Sequence, residues 1–388
     1  MSDFRFNRRE LAGGLGDAGL FIPIAVALIT VNGLNATAVF AVGGLAYLGT
    51  ALAFRVPVPV QPLKAFSAAA IALKLEPDVI AAGALLMAAA MAILASTGVA
   101  DWLAARFPLV LVRGIQASVA LLLAKAAVEL AEKGNWKGLP AVSEEAGLLM
   151  AAAACACLLL LRSRRLPGAL LVLGAGAAGG IAIAGGLPAA HLGPEGVGLS
   201  LPDAGALGTA LTTLVIAQLP LTFGNSVVAT ADAERNYFAE RARRVRPNRL
   251  AGSIAGANLL AGLTHGLPLC HGAGGVTAHV KLGARTAGAT ASVGALYLLL
   301  GVAFGASLPA ILHLLLPGAL AGMLLYVAVQ HALLAASLES AADRAIAAGV
   351  AVVTLMSGNL GIGFAAGLIV VLGRRALGAT GRPAAQPG

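Results

Sequence analysis

Lys64 closes the run PVPVQPLK at 57–64, where one cation and one amide, Gln61, stand among prolines and aliphatic residues. A second run, PLCHGAGG at 268–275, sets His271 ahead of Gly272, Ala273, Gly274 and Gly275. Pro57, Pro59 and Pro62 remove amide donors and favour extended backbone. Pro62 also suits the first turn of a helix. A helix starting there offers the free N–H groups of Lys64, Ala65, Phe66 and Ser67, and one starting at 272 offers those of Gly272, Ala273, Gly274 and Gly275. Helix N-termini attract negative charge, and glycine lets an oxygen approach the backbone closely. Two such termini facing each other describe an anion site. The plainer alternative is a pair of proline kinks with no ligand.

Other polar residues can complete the site. Lys64 can balance a divalent anion, pair with a carboxylate, or reach for the interface. Asp17, in GDAGLFIP at 16–23, can pair with Lys64 or carry a coupling proton. Gln61, Gln218 and Asn225 can donate to oxygens without adding charge, or join helices by hydrogen bonds. His271 can donate to the anion, or bind a proton near neutral pH.

The elements that must position these groups are membrane helices. Of 388 residues, 59% are hydrophobic and 11% charged, against about 25% charged in soluble domains. The stretches 204–230 and 292–316 carry no Asp, Glu, Lys or Arg. The class is therefore an all-α polytopic membrane protein. Abundant Ala and Gly suit close helix packing. The polar, basic start MSDFRFNRRE shows no cleavable signal.

Apolar runs between breakers give fourteen segments, at about 11–32, 36–54, 62–75, 79–99, 107–131, 146–162, 167–188, 205–230, 249–264, 271–282, 286–304, 307–331, 341–356 and 358–374. Segments three and ten are too short to span, and each follows a Pro/Gly break. With the N-terminus inside, all but five of the 26 Lys and Arg residues fall on cytoplasmic ends. The exceptions are Lys64, Lys74, Lys125, Lys133 and Lys137. The positive-inside rule thus predicts both termini in the cytoplasm. Seven segments per half place the halves in opposite orientation, an inverted repeat of 1–190 and 204–374 with a short tail at 375–388. Broken helices at matching places in two repeats point to a transporter's central site.

Several other patterns carry no chemistry. Cys155, Cys157 and Cys270 read as small buried side chains without disulfides. Cys270, His271 and His279 fit no zinc spacing. GAGAAG at 174–179 lies in a transmembrane segment, so it reads as small-residue packing and not as a dinucleotide loop. His313 and His331 read as ordinary helical residues. No nucleophile–base set, cofactor motif or nucleic-acid surface emerges, and the arginines at 235–249 serve as a topology anchor.

GDAGLFIPIAVAL (16–28), VPVPVQPLKAFSA (56–68), QLPLTFGNSVVA (218–229) and LCHGAGGVTAHVKLGARTAGA (269–289) resemble the hallmark blocks of the molybdate/sulfate transporter family, short relatives of the sulfate permeases. The resemblance covers nearly the whole membrane chain. It implies the seven-plus-seven inverted-repeat fold, with segments 1–4 and 8–11 as a substrate-carrying core and 5–7 and 12–14 as a gate. The resemblance to the short branch implies a chain without the C-terminal regulatory domain usual in sulfate permeases. The expected function is secondary active transport of molybdate or sulfate with H⁺ as coupling ion, Asp17 and His271 carrying the proton. The expected setting is a bacterial inner membrane, with the lipid bilayer as partner and room for a homodimer through the gate segments. An anion channel and a nucleobase or bicarbonate permease are the competing readings. A nucleobase carrier calls for a core carboxylate, and segment eight has none before Asp232.

Overall fold

The computed structural model describes residues 3–99, 108–133, 143–160, 168–186, 191–312, 314–336 and 338–376. Arg106, Lys137, Arg162, Arg164, Arg165, His313, Arg382 and the tail beyond Ala376 lie outside them. The first stretch holds α1 (Arg8–Gly14), α2 (Ala18–Thr30), α3 (Ala36–Phe54), β1 (Gln61–Pro62), α4 (Lys64–Ala72) and α5 (Pro77–Thr97). Next come α6 (Leu109–Lys133), α7 (Glu144–Leu160) and α8 (Gly168–Ala184). The long α9 (Ala206–Arg244) opens the second half. It is followed by α10 (Pro247–Thr264), β2 (Leu269–Cys270), α11 (Ala273–Leu282), α12 (Gly288–Phe304), α13 (Leu308–Leu312), α14 (Pro317–Ala335), α15 (Ala341–Ser357) and α16 (Leu360–Ala376).

Helices are found in each of the fourteen apolar stretches, but among the described residues only α3, α5, α6 and α9 are long and apolar enough to cross a membrane alone. A fifth span results if the first stretch is counted whole, although it bends by 51° between Arg8–Asp17 and Leu20–Thr30. The twelfth stretch is also broken, between Leu312 and Pro317. A proline there has no N–H to continue the preceding ladder.

Inside α9, two stretches widen to π-type turns, Leu211–Val215 and Thr222–Ala229. Pro220 lies between them and removes one ladder donor. The second wide stretch carries Asn225 and Ser226.

The two short strands pair antiparallel, Gln61 opposite Cys270 and Pro62 opposite Leu269. Each follows a helix that ends on a left-handed residue, Arg55 (φ 62) after α3 and His265 (φ 51) after α10. Asn258 on α10 braces β2, donating to Leu269 O at 2.6 Å and accepting from its amide at 3.1 Å. Around this centre α10 packs along α5, and α12 along α3. Small residues allow the second contact: a Cβ on Gly44 would come 2.7 Å from the Gly294 carbonyl. Phe21, Phe40 and Tyr47 ring Tyr297, with Phe21 stacked at 4.5 Å. α14 lies along α6 and α7, and α15 along α6.

Candidate functional site

The extended stretch into β1 and the N-terminus of α4 meet β2 and the N-terminus of α11 at the centre of the fold. Residues 57–60 cannot form a helix with alternating prolines, so the chain stays extended until Leu63 caps α4 (φ −64, ψ 101). Gly272 caps α11 in extended backbone (φ −167, ψ 131). Between the two helix starts lies a cavity of about 130 Å³. It is lined by Lys64, Gln218, Asn225, Ser226, Cys270 and Gly274, together with Gln116 of α6 and His331 of α14. Lys64 is half-buried.

Several expected donors are already used. The Phe66 amide donates to Gln218 Oε1 at 2.9 Å. Those of Ser67 and Gly275 donate to Leu63 O at 2.7 Å and Gly272 O at 3.0 Å. Among the described residues, the first-turn amides of α4 and α11 left without these partners are Lys64, Ala65, Ala273 and Gly274. Ser67 contributes a buried hydroxyl with no partner among the described residues.

His271 does not reach the cavity. Its Nδ1 is 2.8 Å from Pro59 O and its Nε2 3.3 Å from Ser253 Oγ. Extended backbone turns successive side chains to opposite faces, so with Cys270 on the cavity His271 turns away. Asp17 and Gln61 sit just behind the cavity wall. Gln61 Nε2 donates to Asp17 Oδ1 at 2.7 Å, and Asp17 Oδ2 faces His279 Nε2 at 3.5 Å. Among the described residues, Asp17 makes no ion pair with Lys64.

Ser226, Gln116 and His331 line the cavity without having been singled out as binding residues in the sequence. His331 was expected to be an ordinary helical residue, but it stands on the cavity wall. Among the described residues no group of three His, Cys, Asp or Glu side chains could hold a metal.

A family model described as "Molybdate transporter of MFS superfamily" matches residues 9–123 and 210–330, which hold every cavity-lining residue named above except His331. The chain belongs to this family. It is 29% identical to molybdate transporter 1 of Arabidopsis thaliana, over 99% of this chain and 92% of the relative. To molybdate transporter 2 of the same plant it is 27% identical, over 94% and 86%. In fold it is similar to the transmembrane domain of a cyanobacterial bicarbonate transporter, BicA (TM-score 0.67, 15% identity, 90% of this chain and 96% of that one). It is also similar to murine Slc26a9, an anion transporter in the inward-facing state (TM-score 0.66, 15% identity, 96% and 68%). This member of the molybdate transporter family is an integral membrane protein with the fold of those transporters. Family and fold make it a transporter, not an enzyme.

Proposed function

We propose that this protein is a secondary active transporter of a tetrahedral oxyanion, with molybdate as the foremost substrate. The observation that carries this is the cavity between the N-termini of α4 and α11, with Lys64 on its wall. One full charge and two helix termini suit a dianion. The amides of Lys64, Ala65, Ala273 and Gly274 contact its oxygens, with Gln218, Asn225, Ser226 and Ser67 around them. Phe66 and Gly275 hold the two helix starts in place, and Gln61 and Gly272 form the wall behind. The relatives named as molybdate transporters favour molybdate over sulfate.

The chain is an inverted repeat of 1–190 and 204–374, with fourteen segments and both termini in the cytoplasm. The packing supports this. Exchanging each segment for its counterpart in the other half turns the α5–α10 contact into that of α12 with α3. The same exchange turns α15 on α6 into α7 on α14. Gln61 and Cys270, at equal distances ahead of their helices, face each other, as a two-fold axis through that pair requires. Segments 1–4 and 8–11 move as a core against the gate of segments 5–7 and 12–14, exposing the cavity to each side in turn.

The test is competition binding to purified protein with molybdate, tungstate, sulfate, selenate and bicarbonate, followed by uptake of labelled molybdate into proteoliposomes. Molybdate and tungstate are expected to compete best. Binding of bicarbonate in preference to every tetrahedral anion would overturn the reading, and currents beyond carrier turnover would make the protein a channel.

A further inference from the structure

Asp17 and His279 form a buried polar pair that the oxyanion cavity does not use. Asp17 Oδ2 and His279 Nε2 are 3.5 Å apart, and neither has a hydrogen-bond partner among the described residues. The other ring nitrogen fixes the tautomer. His279 Nδ1 lies 3.2 Å from the Pro57 carbonyl oxygen, which can only accept, so Nδ1 carries a hydrogen. Without a further proton, Nε2 and Oδ2 present lone pair to lone pair, which repels strongly in a poorly polarisable interior. One proton between them removes the repulsion.

We propose that Asp17 and His279 together hold one exchangeable proton, and that this pair couples oxyanion transport to H⁺. The proposal rests on the reading of the adjacent cavity as an oxyanion site. With its proton the pair is neutral, and without it carries one negative charge. A dianion beside Lys64 leaves one negative charge uncompensated, so a second on Asp17 opposes binding. Proton and anion therefore favour each other, as symport requires. Gln61 links the two sites. Its Nε2 holds Asp17 Oδ1, its Oε1 has no partner among the described residues, and a Cβ on Gly272 would run into that oxygen. Loss of the proton thus acts through Gln61 on the cap of α11, whose next residues face the cavity.

The surrounding groups leave the pair as the place for the proton. Lys64, Tyr47, Tyr297 and Cys270 lie within electrostatic reach of Asp17. On α1, Arg8 and Arg9 are exposed, and Glu10 is held by the amides of Arg285 and Thr286. On α11 Lys281 is exposed, as are Asp232 and Arg235 on α9. Glu234 on α9 is buried without a partner among the described residues, but no basic side chain is paired with it to share a proton.

The experiment measures molybdate affinity of the full chain against pH, and pH-gradient-driven accumulation in proteoliposomes. In the wild type, affinity is expected to fall about tenfold per pH unit above the midpoint of the pair. Asp17→Asn and His279→Gln are expected to bind with a flat pH profile. Both should lose gradient-driven accumulation yet still exchange labelled for unlabelled molybdate. Wild-type pH dependence in Asp17→Asn, which barely changes side-chain shape, would overturn the proposal even if His279→Gln failed to fold. So would a flat profile produced by Glu234→Gln alone, or accumulation driven by Na⁺ and not by H⁺. A wild type that binds no molybdate at any pH strikes the cavity reading itself, a different outcome from molybdate binding without pH dependence.

Discussion

The Phe66 amide donates to Gln218 Oε1 at 2.9 Å, and Gln218 Nε2 donates to Thr222 Oγ1 at 2.9 Å. A residue from the second half thus caps the helix that begins at Lys64 in the first. The cap fixes where the remaining α4 amides point. Loss of such a cap costs about 0.5–2 kcal/mol, so Gln218→Ala should lower both thermal stability and molybdate affinity. Gln218→Glu separates the two effects. A carboxylate there still accepts from Phe66 and favours the helix terminus, but it repels a dianion. Its melting temperature should stay near wild type while affinity falls sharply, measured by thermal shift and equilibrium binding.

The two glycines of α11 should respond differently to the same added methyl. A Cβ on Gly275 would lie 2.5 Å from both Asp17 Oδ2 and Gln61 Nε2, so Gly275→Ala must push apart the Asp17–Gln61 hydrogen bond. Gly274 has nothing within 4 Å of its Cβ position and lines the cavity. Gly274→Ala should fold normally, and Gly274→Val should fill the space meant for the anion. Melting temperature is therefore expected to drop in Gly275→Ala and hold in Gly274→Val, with molybdate binding lost in the latter. Wild-type affinity in Gly274→Val would place the anion elsewhere.

These contrasts mark how far the sequence could be read. Pro57, Pro59, Pro62 and the Gly272–Gly275 run state their effect in backbone chemistry alone, so the two helix breaks and the starts of α4 and α11 were legible. Which amides stay free was not, because Gln218 reaches Phe66 across 152 residues of chain. His271 was misplaced because its direction depends on strand register, and one residue of register reverses a side chain. In the sequence, His279 enters only with Cys270 and His271, in a spacing that fits no zinc site. Only the packing of α11 against the turn at Leu15–Asp17 gives it a carboxylate partner. Gln116 and His331 belong to different halves, and no local pattern signals that both border one cavity.

Lys64 supplies the only full positive charge on the cavity wall among the described residues. Lys64→Ala should weaken molybdate binding strongly, and Lys64→Arg should restore part of it, since a planar guanidinium does not replace a compact ammonium. Ligand-induced stabilisation gives a second measure. At a hundredfold excess over Kd, a bound ligand adds about 2.7 kcal/mol to the folded state. Molybdate should therefore raise the melting temperature of the wild type clearly and that of Lys64→Ala little at the same concentration. Equal shifts in both proteins would make Lys64 structural.

The gate side of the cavity should show itself in rates. Gln116 of α6 and His331 of α14 line the same cavity as the helix termini that hold the charge. His331 Nδ1 is already bound to Val327 O at 3.0 Å, so its Nε2 is the nitrogen left for substrate or solvent. If the core carries the anion past the gate, these groups meet it in only part of the cycle. A single neutral hydrogen bond contributes about 0.5–1.5 kcal/mol net, a change of roughly two- to tenfold in affinity. Gln116→Leu and His331→Leu should therefore shift molybdate Kd by no more than that. They should slow exchange of labelled molybdate by a larger factor, because a dry gate wall no longer receives the anion as the core moves. Core variants such as Lys64→Ala should do the reverse, with affinity lost first and the remaining exchange restored at saturating molybdate. Equilibrium binding set beside exchange rates for the three variants decides between a moving core with a fixed gate and a cavity whose walls all bind alike.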